Sequence, residues 1–192
     1  MISTYTFVAQ TLNELKSELA KALESIDFEP TLAFGFVSVH LPLTKFMDVF
    51  KRQGILLFGT TSGGEILFDK QQDQLMDNGA VFLLTDINSD AFKLHFFNRA
   101  NIDSNVFGKL VGHKVKDSFS DPSLILTTSG LSLDGQAMVE GVLDVVGLDV
   151  SLFGGMAADD GKFCQTFVFT ESSISDNGAL VLVFDNSMIE LT

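Results

Sequence analysis

The feature that most constrains this chain is that it is written twice. "DNGAVFLLTD" at 77–86 returns as "DNGALVLVFD" at 176–185, and "LFG" at 57–59 returns at 152–154. "FEPTLAF" at 28–34 resembles "FSDPSLIL" at 119–126, with Pro30 matched by Pro122. The echoes keep their order and nearly keep their spacing. Two tandem units, about 1–100 and 101–192, account for this, and a repeat must be settled before any fold is argued.

Both units read alike. In the first, "TLNELKSELAKALESI" opens on a Thr11-x-x-Glu14 capping box and sets Leu12, Leu15, Leu19, Leu23 and Ile26 on one helical face. A strand "TLAFGFVSVH", a helix carrying Leu43, Phe46, Met47 and Phe50, and a buried strand "GILLFG" follow. After a Gly-rich loop come the strands "GAVFLLTD" and "FKLHFF". The second unit offers a helix over 102–118, the strand "SLILTT", a helix over 133–146, and the strands "VSLFG", "QTFVF" and "GALVLVF".

Helix, strand, helix, strand predicts a parallel pair, and strands without intervening helices predict antiparallel neighbours. The expected class is therefore α/β (mixed α+β): mixed sheets with helices packed on them, twice over, related by a pseudo-twofold. The two halves should form one cooperative unit, since each alone has a limited core. In this register "MIELT" at 188–192 matches the start of "FKLHFF". The expectation is a piece of a longer chain with a C-terminal partner domain.

Composition narrows the function. Apolar residues make up 46% of the chain, with 19 Phe, one Tyr and no Trp, which suits a core filled by rings that need no polar partner. The net charge is −13, and beyond Lys116 the one base is Lys162. Such a surface repels phosphate backbones and anionic membranes, so neither nucleic acid nor membrane is an expected partner. The single cysteine, Cys164, permits no intramolecular disulfide and no thiolate zinc site. A basic start followed by an apolar core, the mark of a signal peptide, is missing, and so is an apolar run of membrane-spanning length. The expected location is cytoplasmic.

The candidate site comes from the two Gly-rich stretches "LFGTTSGGEI" and "LFGGMAADDG", both placed at carboxyl ends of matching strands, where ligands bind in open α/β sheets. In the first, Thr60, Thr61 and Ser62 bring hydroxyls, Gly63 and Gly64 allow close approach, and Glu65 can fix a ligand amine. In the second, Gly154 and Gly155 give clearance while Asp159 and Asp160 carry the polar role. "TTSG" at 127–130 adds Thr128 and Ser129. The bland alternative is that these are turns whose acids cap backbone N–H groups. The stretches themselves hold no Lys or Arg, and the P-loop Lys-Ser/Thr is missing, so a small polar metabolite such as an amino acid suits them better than a phosphate.

The same residues carry a family resemblance. "LFGTTSGGEI" resembles the first signature of the FIST family (F-box and intracellular signal transduction proteins), and "SLFGGMAADDGKFCQTFVF" resembles its "FGG-x-A-x-D" hallmark. The likeness corresponds to that family's N-terminal domain. It implies a sensory domain in signal transduction that binds a small ligand, amino acids among them, and works with a chemoreceptor, histidine kinase or cyclic-nucleotide enzyme. Some members instead bind haem and sense nitric oxide. The signature often has Cys where Thr60 stands, so a thiol role at that loop is not implied.

A haem would need an axial ligand. His95, in the apolar "KLHFF", is the best candidate, ahead of His40 and His113. Cys164 reads as a small buried residue. Glu65, Asp159 and Asp160 are oxygen ligands of the kind Mg²⁺ takes, should they converge, but no metal site is assigned. Ser62 and Ser129 stand outside a Gly-x-Ser-x-Gly elbow, and no nucleophile, base and orienter can be assembled, so an enzyme is not expected. Three readings stand at this point: a small-ligand sensory domain, a haem sensor of nitric oxide, and a structural interaction module.

Overall fold

The computed structural model describes residues 2–68, 73–76 and 78–189. The first unit runs β1 (Thr4–Ala9), α1 (Leu12–Ser25), β2 (Leu32–Ser38), α2 (Leu43–Gln53), β3 (Leu56–Ser62), a hairpin of β4 (Glu65–Phe68) and β5 (Asp73–Met76), and β6 (Ala80–Thr85). The second runs β7 (Phe92–Asn98), α3 (Ser104–Val115), β8 (Pro122–Thr128), α4 (Gly135–Val146), β9 (Leu152–Met156), a hairpin of β10 (Val168–Phe169) and β11 (Ile174–Ser175), and β12 (Gly178–Asp185).

The predicted helices form where the apolar spacing and caps place them. Thr11 accepts a hydrogen bond from the Glu14 N–H, and Glu14 answers by accepting from the Gln10 N–H. Asp103 and Asp134 cap α3 and α4 in the same way. Gly54, left-handed at φ 72°, ends α2.

Two large sheets result, with strand orders β1-β6-β2-β3-β10-β11 and β7-β12-β8-β9. The first four strands of the one and the four of the other share directions: outer strand antiparallel to the last, last antiparallel to the second, second parallel to the third. Two differences from the sequence reading stand out. "TYTFVA" forms β1, an edge strand that the reading missed. "FKLHFF" does not close the first sheet: as β7 it pairs with β12 from Gly178↔Asn98 to Phe184↔Phe92. β1 and β7 hold the same place but share no residue types in register, so no echo marked them.

The layers follow from alternation. β12 sends Ala179, Val181 and Val183 toward α3 and α4, and Leu180, Leu182 and Phe184 toward the other sheet. β3 likewise sends Leu57 toward α1 and α2, and Phe58 toward the second sheet. Strands buried on both faces read as continuous apolar runs. The order across the molecule is helices, sheet, sheet, helices.

One hairpin ties the units together. β10 pairs antiparallel with β3, Val168 opposite Thr60 and Phe169 opposite Gly59. The Phe169 ring is fully buried in the first unit's core. It lies so close over Gly59 that a Cβ there would come within 2.2 Å of the ring. The exchange is one-way, because β4 and β5 form a small sheet of their own. Among the described residues no helix is long and apolar enough to cross a membrane.

Phe169→Ala removes the ring that joins the units. A loss of about 3–5 kcal/mol is expected, read as a lower urea midpoint, with fluorescence and circular dichroism still tracing a single transition.

Candidate functional site

Residues of β2, β3, β8 and β9 enclose a cleft of about 480 Å³. Phe34, Phe36, Phe58 and Thr60 line it from the first unit, and Ile125 and Thr127 from the second, with Gly155, Met156 and Ala158 at the rim. On its floor the Thr127 hydroxyl donates to the Thr60 hydroxyl at 3.4 Å. A second hollow of about 320 Å³ adjoins it, lined by Gly63, Gly64, Asn78, Asp160 and Lys162. Gly63 borders both spaces.

In the smaller hollow Asp160 sits in the left-handed region at φ 58°. Its carboxylate accepts from the Ser38 hydroxyl and lies 3.4 Å from Nε2 of His40, whose ring also meets the Lys162 ammonium at 2.6 Å. One acid, one base and an imidazole thus surround a space open to solvent.

A family model described as FIST N domain matches residues 31–192. The chain belongs to the FIST N-domain family. FIST domains are sensory domains associated with signalling. No curated protein matches the chain. Among solved structures it is similar to cyanuric acid hydrolase from A. caulinodans, at 9% identity, over 96% of this chain and 67% of that one, with a TM-score of 0.42. That likeness is too distant to bear on function.

The two FIST stretches are not the loops expected from their glycines. Gly59, Thr60, Thr61 and Ser62 lie within β3, and Gly154 and Gly155 within β9. Strand alternation therefore decides what each side chain meets. Thr60 faces the cleft. The Thr61 hydroxyl instead accepts from the Phe167 N–H, holding the strand exchange together. Ser62 donates to Glu65 at 2.7 Å, and Glu65, which is buried, also accepts from the Gly79 N–H. Burial raises the Glu65 pKa, opposed by these hydrogen bonds. Glu65 braces the turn. Gly64, at φ 117°, makes that turn possible.

Asp159 is equally occupied. Its buried carboxylate accepts from the backbone N–H groups of Phe163, Cys164 and Gln165, which lower its pKa, the Gln165 bond most strongly. This is a closed loop clasp, the bland alternative realised. The loop pushes Cys164 outward, so the cysteine is exposed and not buried as its neighbours suggested.

"TTSG" is shifted by one residue from the expected use. Thr127 reaches the cleft, whereas Thr128 faces the opposite side of β8, and Ser129 bonds Ser132 and the Gly178 backbone. A one-residue step moves a side chain to the other face. Asn78 and Lys162 escaped the sequence reading of the site, as did Phe34, Phe36, Phe58 and Ile125, and His40 entered it only as a possible haem ligand.

The haem reading finds no support in the cleft, since none of its lining residues is a histidine. His95 lies half-buried on β7, near the Ser118 hydroxyl, and burial lowers its pKa. Among the described residues no three His, Cys, Asp or Glu side chains gather as a metal site.

The Asp159 clasp gives a pH signature. Its folded pKa lies below the ordinary 3.8, so its stabilisation is complete above that value and is lost as pH falls toward the lowered one. Asp159→Asn is expected to melt below the parent at pH 7, with the gap closing below about pH 4. Paired thermal melts at pH 7 and pH 3 check it.

Proposed function

We propose that this FIST domain binds a small zwitterionic molecule with an apolar body, of the apolar or aromatic amino-acid class, and reports its occupancy to a signalling partner. One observation carries the reading. The apolar cleft, floored by the Thr60–Thr127 hydroxyl pair, opens past Gly63 onto Asp160 and Lys162. An apolar side chain suits the Phe-lined space, an ammonium suits Asp160, and a carboxylate suits Lys162. The candidate contacts narrow to Thr60, Gly63, Gly155 and Asp160, joined by Thr127 and Lys162.

Coupling follows from the position of the site. A ligand that touches both sheets favours whichever relative placement of the units closes on it, and it shifts the population by its differential affinity. The role proposed is binding, and the Ser62 hydroxyl is already engaged by Glu65. The partner class that the family resemblance implies is a histidine kinase, chemoreceptor or cyclic-nucleotide enzyme.

Calorimetric titration with phenylalanine, leucine and glutamate tests the reading. Phenylalanine or leucine should bind and raise the melting temperature, and glutamate should not. Asp160→Asn should weaken binding about tenfold, or about 1.4 kcal/mol. A Cβ at Gly155 meets nothing within 4 Å. Gly155→Leu should therefore fill the cleft and abolish binding with little change in stability. No heat with any of the three, or unchanged binding in Gly155→Leu, overturns the proposal.

A further inference from the structure

β9 ends the second sheet, and among the described residues no strand lies on its outer edge. Leu124 N–H donates to Ser151 and Ala157 N–H to Thr128, so the odd-numbered residues of β9 bond inward to β8. Leu152, Gly154 and Met156 consequently turn their backbone N–H and C=O groups outward. Phe153 and Met156 stand 46% and 44% exposed, and both glycines are exposed. An apolar edge left bare in this way is a template for another strand.

The first unit shows what fits such an edge. β3 holds the place that β9 holds, and it is covered by β10, with the Thr61 N–H donating to Phe167 at 2.9 Å. Phe169 crosses Gly59 into the core beside α1 and α2. The corresponding socket in the second unit, between α4 and the helix-facing side of β8 and β9, is an open cleft of about 520 Å³. Leu126, Val139, Met156 and Gly154 line it. Thr128, 2% exposed, also lines it, with its hydroxyl buried and without a hydrogen-bond partner.

We infer that the outer edge of β9 docks an antiparallel β-strand of a partner protein, delivered by a hairpin whose aromatic side chain enters the cleft beside α4. This is strand addition, in which main-chain bonds supply affinity and a side-chain pocket supplies specificity. A second copy of this chain is disfavoured as the occupant. Its β10–β11 hairpin is already engaged on its own β3, and a net charge of −13 sets two copies against each other. The same acidity selects a strand with basic flanks.

The probe is a hairpin peptide with the sequence of residues 165–177 and a lysine added at each end, given to the intact chain at millimolar concentration. Backbone amide exchange at Leu152, Gly154 and Met156 should slow by about tenfold or more. The peptide carrying Phe169→Ala should lose the effect. In the protein, Gln136→Trp, at the exposed mouth of the cleft on α4, should block the socket, abolish the slowing and leave the melting temperature unchanged. Three results overturn the inference: no slowing in the parent, equal slowing in Gln136→Trp, or protection that appears without peptide as the chain is concentrated, which assigns the edge to a second copy. The amino-acid titration reads the other face of β9, so the two ideas fail separately.

Discussion

Each sheet of this protein is apolar on both faces, and helices cover only one. The face left over, carrying Leu32, Phe58, Leu180, Leu182 and Phe184, must meet its counterpart or stay in water. Burying side chains of this size stabilises by roughly 1.5–3 kcal/mol each, so the sheets stack. The rest depends on that stacking. The candidate site is lined by strands of both sheets, and the Thr60–Thr127 contact joins them there.

Much of the architecture was legible because local chemistry and tertiary packing agree. Thr11 and Glu14 announce a helix and cap it. The Leu12–Ile26 spacing predicts the face that is buried. The echoing "AVFLLT" and "ALVLVF", and the repeated "LFG", lie on strands with matching neighbours, β6 with β12 and β3 with β9. β1 and β7 were misjudged because an edge strand needs only half a pattern. "TYTFVA" and "FKLHFF" fit the same slot with unrelated side chains.

What the sequence made legible of the candidate cleft is its neighbourhood: the glycine-dense stretches 59–64 and 154–155 contribute Thr60, Gly63 and Gly155 to its lining. Acidity misled, because a carboxylate beside a tight turn has backbone N–H groups within reach before any ligand arrives. Asp159 spends its oxygens that way, as Glu65 does on Ser62 and Gly79. Thr127 against Thr128 is a question of which face a strand shows, and that is fixed by pairing with β12 and not by the residues themselves. Phe34, Phe36 and Phe58 looked like ordinary core: Phe58 is buried there, Phe34 is half-buried against it, and Phe36 stays exposed.

The Phe169 crossing also bears on how the chain is made. During synthesis the first unit leaves the ribosome before residues 165–175 exist, so β3 waits with a bare edge and an unfilled groove over Gly59. Domains normally fold as they emerge. Here the earlier half stays incomplete until the β10–β11 hairpin has emerged, and chaperone protection would matter most in that interval.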